Sequence, residues 1–380
     1  LVPSGIAHPG KVNIIGPGTL VNPVKLVEEI ASIEAKGISV TPQNLKMSSG
    51  SHLILPHHIC DDEIREAGEG RQGSTKSGIA QVSSFKAMRT GIRSEIIKND
   101  PKGLRTLVYD ALMLQKPLRK AAGLDPIDEA KVADDYVAST EELGKFITDT
   151  VFYINQELRK EKPAKVLAEG AQAFLLDIDH GMYPFTTSSS TTSGGVSTGL
   201  GVPPSFIGKI IGVAKAVQSH VGGGPFVTEV TDDDELARLH GDMTTVDAEY
   251  GTTTGRKRRL GYLDLPQIRR AQMVNGADAM ILSKVDWVPR YGDKIPVCVA
   301  YERKGKTLHI APDSARKLEQ STPVYEYLPA WTENIQDIRK FSDLPKNAQN
   351  YVEFIEKQTG VPVSVIGVGP NPDQIIICNT

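Results

Sequence analysis

Apolar and polar positions alternate along the chain with two spacings. Residues 11–16 (KVNIIG) form a short apolar run that predicts a strand. Asn22-Pro23 then places proline in the first turn of a helix predicted over 24–35, with apolar residues at Val24, Leu26, Val27, Ile30 and Ile33; Lys36-Gly37 stops it. Residues 52–56 (HLILP) read as a buried strand, with His57 and His58 continuing it. Over 102–162 the period is helical. Phe146, Thr150, Phe152, Tyr153 and Leu158 suggest one long amphipathic helix capped by Ser139-Thr140-Glu141-Glu142. Val166, Leu167 and Ala168 give a short strand signal. Residues 208–229 read as a buried strand or helix leading to Gly222-Gly223-Gly224. Asp264-Leu265-Pro266 opens another helix, and 278–286 (DAMILSKVD) is a buried strand. Residues 295–301 and 307–310 pair as a hairpin around Arg-Lys-Gly-Lys. A helix over 346–359, a strand from Val361 into a glycine turn and a final strand over 374–379 complete the pattern.

Composition narrows this only a little. The 380 residues are 39% hydrophobic and 23% charged with net charge −3, ordinary for a globular chain and no electrostatic case for nucleic acid or a membrane surface. No apolar run reaches the length that spans a bilayer. Cys60, Cys298 and Cys378 show neither metal-ligand spacing nor a disulfide framework, which fits a reducing cytoplasm. His57 and His58, adjacent on a strand, would point to opposite faces and so form no paired metal site.

Three stretches carry candidate chemistry. Residues 166–201 run from the strand signal through Glu169-Gly170-Ala171-Gln172 and Asp177-Ile178-Asp179-His180-Gly181. Hydroxyl residues then fill Thr186 to Thr192, and Gly194, Gly195, Gly199 and Gly201 follow. Backbone amides and hydroxyls in such a loop converge on anions, a phosphate above all. Asp177, Asp179 and His180 read better as a hydrogen-bonded turn than as a metal or acid–base group. Gly73-Ser74-Thr75 and Gly78 form a second anion-friendly loop, with Lys86, Arg89 and Arg93 at helical spacing behind it. Within residues 250–261, Thr252 to Arg259 place three threonines, a glycine and four consecutive cations together. Such a run carries self-repulsion unless an anion relieves it, so it reads as a compact anion receptor.

The stretch EGAQAFLLDIDHGMYPFTTSSSTTSGGVSTG closely resembles the signature of the adenylosuccinate synthetases, which couple GTP hydrolysis to joining IMP and aspartate. The resemblance extends over nearly all of the chain. Residues 221–229 are similar to the family's Val-Gly-x-Gly-Pro-Phe-x-Thr-Glu. Residues 323–331 are similar to its Pro-x-Tyr-Glu-x-x-Pro-Gly-Trp, with Ala330 for glycine. Carried over residue by residue, it implies that Thr75, Arg89, Gln172, Thr187 and Arg256 contact IMP. Arg89 would reach the neighbouring subunit's phosphate, and the Gln172 amide the purine O6/N1 edge, a catalytic position. The aspartate loop would be Thr252, Thr253, Thr254, Gly255, Arg256, Lys257 and Arg258, with Lys257 in place of a family arginine. GTP would meet Arg258, the Lys284-Val285-Asp286 element, and Gly367-Val368-Gly369, which stands for the family's Ser-Thr-Gly. A carboxylate at Asp286 accepts from guanine N1–H and N2–H together, and the lysine stem would lie over the ring.

The resemblance implies an α/β fold with a central, mostly parallel sheet and surrounding helices, of the P-loop GTPase-related kind, in one domain spanning 1–380. It implies a cytoplasmic homodimer that binds neither nucleic acid nor membrane. GTP would phosphorylate O6 of IMP, aspartate would displace phosphate at C6, and Mg2+ would neutralise the GTP oxygens. The family's Gly-Asp-Glu-Gly-Lys-Gly-Lys loop, its Asp base and its His acid have no counterpart here. The chain therefore reads as a fragment lacking its N-terminal nucleotide loop and magnesium ligands, expected to bind ligands weakly and not to turn over. Lys76-Ser77 in place of Gly-Arg, and Ala80-Gln81-Val82-Ser83 in place of Gly-Pro-Ala-Tyr, resemble phage relatives acting on a 2-aminopurine nucleotide. Alternatives are thus a 2-aminoadenylosuccinate synthetase-like enzyme using dGMP or ATP, or an inactive nucleotide-binding protein.

Overall fold

The structure, a computed structural model, describes residues 2–67, 76–242, 244–245, 248–250 and 257–378. It divides into two compact units, Leu1–Ala171 with Thr187–Ile207, and Gln172–Thr186 with Gly208–Thr380.

In the first unit, Asn13–Ile15, Leu45–Ser48 and Ile147–Thr148 form a parallel three-stranded sheet in that order, and Leu20–Val21 pairs in parallel with His52–Leu53. The predicted early helix spans Pro23–Glu34, and the Asn22 side chain accepts from the Lys25 amide at 3.1 Å. Its Leu26 and Ile30 pack with Leu45, Met47, Leu53, Leu104, Val108 and Leu112 in this unit's core.

The stretch of helical period over 102–162 is three helices, Pro101–Ala121, Glu129–Thr140 and Thr150–Leu158, and the long helix expected after a Ser139-Thr140-Glu141-Glu142 cap is only the last of them. Gly123, with φ 68°, turns the chain after the first, and Asp128 and Asp149 cap the other two. Ser139 and Thr140 close a helix rather than open one: the Thr140 hydroxyl donates back to the Val137 carbonyl at 3.1 Å. His57 and His58 lie not on a strand but in the first turn of the Pro56–Ala67 helix, with ring centroids 4.0 Å apart. Both are buried. Burial brings the imidazoles down to about 4 and about 3, and the Leu55 amide donates to His58 Nδ1 at 3.0 Å. The strand expected at Val166-Leu167-Ala168 is absent; the segment is unpaired coil, with Leu167 88% exposed.

In the second unit, the strands Ile375–Ile377, Val363–Gly367, Ala279–Ser283 and Ile211–Lys215 form a sheet in that order. The last three are mutually parallel, and Ile375–Ile377 closes the edge antiparallel. Of the buried strand or helix expected within 208–229, a strand is found, but it is not buried. Ile211–Lys215 is instead the opposite edge strand, and Val213 is 72% exposed. A second sheet places Lys294–Arg303 between Lys306–Leu308 and Thr322–Pro329, with Leu263–Asp264 alongside. Its hairpin turns at Lys304 and Gly305, both with positive φ, as a two-residue loop demands. Leu282, Val285, Trp287, Ile295, Val297, Tyr351, Ile355 and Ile366 form the core. Mostly parallel sheets flanked by helices are the α/β class that the resemblance implies. No described helix is long and apolar enough to cross a membrane, and the three cysteines are free thiols.

The Leu265–Asn275 helix starts as expected at Asp264, whose carboxylate accepts from the Gln267 amide at 3.2 Å and from the Tyr301 hydroxyl at 2.6 Å. Asp264 is wholly buried, and desolvation pushes its carboxyl up to about 7 despite those two donors. A carboxyl raised in the folded state holds a proton that the unfolded chain has already released. Its contribution to stability is therefore full below about pH 4 and fades as pH rises through 7. Asp264→Asn keeps a capping oxygen and removes the ionisation. Denaturant unfolding from pH 5 to pH 8 is expected to show the variant gaining on the parent by roughly 1–4 kcal/mol. A pH-independent difference would contradict this.

Candidate nucleotide site

Three parallel strands of the second unit end side by side. Lys215 closes Ile211–Lys215 and is the register partner of Ser283, which closes Ala279–Ser283. Gly367 closes Val363–Gly367, and a Cβ placed on it would come 3.2 Å from Ser283 Cα and 3.7 Å from the Lys284 amide nitrogen. The Lys284–Asp286 element and the Gly367–Gly369 turn, widely separated in sequence, thus meet at one edge. Carboxyl ends of parallel strands are where α/β sheets take ligands. Lys284 sits in the left-handed region at φ 58°, which bends the chain sharply out of the strand into the Val285–Tyr291 turn. Val285 and Val368 are buried, so backbone rather than side chain is what they offer there.

Asp286 accepts from Gln336 Nε2 at 3.3 Å. A residue that the sequence does not point to therefore already bonds the carboxylate expected to read a base. Lys284 departs from expectation. Its ammonium lies 3.8 Å from the Trp287 ring centroid, and it is ion-paired with Glu249. Arg290 also stacks on Trp287, at 3.6 Å.

Of the four consecutive cations, Lys257, Arg258 and Arg259 fall within the described residues. Arg256 lies outside the described residues, as do Thr252, Thr253, Thr254, Gly255 and, in the other unit, Thr75. Lys257 is exposed and bridges back to Tyr250. Arg258 Nη1 donates to Glu249 Oε2 at 2.9 Å, and Arg259 grips Glu229 through Nε at 2.6 Å while donating to the Gly224 carbonyl at 2.9 Å. Consecutive side chains on an extended segment point to opposite sides, so the neighbouring Arg258 and Arg259 meet different carboxylates. The protein's own anions relieve the repulsion that the sequence assigns to a ligand.

Glu249 is the hub. Its side chain is 1% exposed and is contacted by Arg258, Lys284 and Lys215, the last at 3.4 Å. Burial alone would raise its carboxyl. The hydrogen bond from Lys284 and the charges of Lys215, Lys284 and Arg258 outweigh burial and hold it at about 2. Burial conversely lowers Lys215, with Glu249 working against the shift.

In the first unit, the hydroxyl- and glycine-rich loop runs from Thr187 into the short Gly195–Leu200 helix. Gly16 and Gly18, from a distant segment, pack closely against its Gly199. A Cβ on Gly18 would fall 2.5 Å from Gly199 Cα, one on Gly16 2.5 Å from the Gly199 carbonyl oxygen, and the Gly18 amide donates to that oxygen at 3.0 Å. Thr187 is half-buried on this loop, while Gln172 belongs to the other unit, exposed and at φ 64°. Asp177 is buried and accepts from the Asp179 and His180 amides at 3.0 and 2.9 Å, the ordering turn that its sequence suggests. Lys86, Arg89 and Arg93 share no helix face. The Ile79–Met88 helix ends at Arg89, which is exposed at φ 65°, and Arg93 bridges to His52. Among the described residues no group of three or more His, Cys, Asp or Glu side chains is placed to hold a metal ion.

Cations and glycine turns at the carboxyl ends of parallel strands define a nucleotide-binding α/β protein. Comparison with known proteins is specific. The adenylosuccinate synthetase family model matches residues 1–376, and the chain belongs to that family. It is 41% identical to the adenylosuccinate synthetase of an Exiguobacterium species, over 99% of this chain and 86% of that relative. It superposes on the fully ligated adenylosuccinate synthetase of Plasmodium falciparum with TM-score 0.89 and 34% identity, covering all of this chain and 88% of the other. A cyanophage succinoaminodeoxyadenylate synthetase bound to dGMP and dATP superposes at TM-score 0.57 with 17% identity, over all of this chain and 80% of that one, a likeness of fold alone.

Proposed function

We propose that this chain supplies the nucleotide- and aspartate-binding residues for the ligase chemistry of purine nucleotide biosynthesis typical of its family, which joins IMP to L-aspartate at the expense of GTP. The carrying observation is the meeting of Ser283–Lys284 with Gly367 at the ends of parallel strands, in a chain whose family is established. The reaction proceeds through phosphorylation of the purine O6, because phosphate leaves from C6 far more readily than hydroxide. The Gln172 amide, able to donate and accept, follows O6 as it changes from carbonyl to phosphoryl ester. Thr187, with Thr75 and Arg256, holds IMP, and the 252–258 loop holds aspartate. Asp286 selects guanine, Arg258 meets the GTP phosphates, and backbone amides of Gly367–Gly369 complete the contact. Arg89, exposed beyond its helix, serves a neighbouring copy in a homodimer. The family uses Mg2+ with GTP, and no described residue is assigned as its ligand. Arrangement and charge, not covalent chemistry, are what these residues supply to phosphoryl transfer.

Calorimetric titration with GDP, ATP, IMP and dGMP in the presence of magnesium tests the reading. GDP is expected to bind at least roughly 10-fold more tightly than ATP, since only guanine offers Asp286 two donors. IMP is expected to exceed dGMP. Preference for ATP together with dGMP would overturn it in favour of a 2-aminopurine enzyme.

A further inference from the structure

We propose that Glu249 is a positioning residue that holds Arg258 and Lys284 in one shared geometry, coupling the base-reading end of the guanine-nucleotide site to its phosphate-reading end. This rests on the proposed reading of Arg258 as a phosphate contact and of Lys284 as part of the element that ends in the guanine-selecting Asp286. Glu249 belongs to no motif that the sequence singles out, yet each of its oxygens is engaged. Oε2 takes Arg258, and Oε1 takes both Lys284 and Lys215. The main chain repeats the tie. The Arg258 amide donates to the Glu249 carbonyl at 3.0 Å, and the Glu249 amide donates to the His240 carbonyl at 3.0 Å. His240 Nε2 in turn bonds the Arg258 carbonyl at 2.9 Å. Side chain and backbone thus fix Arg258 together, while the same carboxylate reaches across to the residue that leaves the central strand.

The physical reason is pre-organisation. Lysine and arginine heads on flexible stems lose rotamer freedom when a ligand orders them, and a buried carboxylate removes that loss beforehand. Glu249 also lowers the positive charge of the cluster, which by itself would weaken attraction to phosphate. The two effects have opposite signs, so the experiment separates them.

The test is fluorescence titration of the full chain with mant-GDP and magnesium. Glu249→Gln is expected to weaken binding by roughly 10-fold. The effects of Arg258→Met and Lys284→Met should be non-additive in the parent and additive in the Glu249→Gln background. Glu249→Asp keeps the charge but not the reach. It should fold if Glu249→Gln does not, and should still lose most of the Arg258–Lys284 coupling. Unchanged or tighter mant-GDP binding in a folded Glu249 variant, or coupling that survives it, overturns the proposal. If neither Arg258→Met nor Lys284→Met alters mant-GDP affinity in the parent, the nucleotide-site reading falls, and this inference with it.

Discussion

Asp286→Asn is expected to weaken guanine-nucleotide binding by roughly 10- to 100-fold and to shift preference toward a xanthine base. On the proposed reading the carboxylate accepts from guanine N1–H and from the 2-amino group, whereas an amide retains one acceptor while presenting a donor. Guanine then faces donor against donor at one position, and a buried mismatch of that kind is more costly than a missing contact. Xanthine carries a carbonyl where guanine carries the amine, so the asparagine donor finds a partner. The Gln336 amide at 3.3 Å accommodates either side chain, because its own carbonyl can accept from asparagine once the amide turns over. Competitive titration with GDP and xanthosine diphosphate measures the switch. Equal loss for both bases would show that Asp286 supports the turn without reading the base. Unchanged GDP affinity would place the base elsewhere.

The second large effect concerns folding rather than binding. Gly18→Ala is expected to lower unfolding free energy by at least roughly 2 kcal/mol, because the new methyl overlaps main chain that has no rotamer to change. The overlap is with Gly199 Cα at 2.5 Å, and the Gly18 amide bond to the Gly199 carbonyl at 3.0 Å would part with it. Gly199→Ala is the control. A methyl on Gly199 would meet nothing within 4 Å, and the residue sits inside a helix where alanine is favoured over glycine. Chemical denaturation of both variants is expected to show a large loss for the first and little change for the second. Similar losses would show that the pairing of these two segments is not what the glycines provide.

The two variants illustrate what is legible in the chain. Glycine density near a hydroxyl-rich loop is plain in the sequence, and it suggests close approach to a ligand. The structure shows close approach to another stretch of backbone, which no reading of one segment reveals. The basic run behaves the same way. Its charge is evident, but Arg258 and Arg259 are held by Glu249 and Glu229. Carboxylates from other segments decide which cations remain for a ligand. Lys284, expected over a purine, is found over Trp287, three residues ahead on its own turn.

What the sequence determined by itself is what local chemistry enforces. Asn22, Asp128, Asp149 and Asp264 start helices because each carries an acceptor within reach of an amide three residues on. Lys304-Gly305 turns the hairpin because a two-residue loop requires positive φ. Motif identity likewise sufficed to reach the family. The tertiary structure alone decided which distant groups meet. Strand register brings Lys215 beside Ser283, parallel packing sets Gly367 against the same residue, and the ladder that fixes both has no counterpart in any single window of residues. Burial then turns those meetings into energies. Glu249 is held at about 2 because three cations surround it, and Asp264 is pushed up to about 7 because two hydrogen bonds and the charge of Arg269 do not offset its desolvation, although both are carboxylates the solvent scarcely touches.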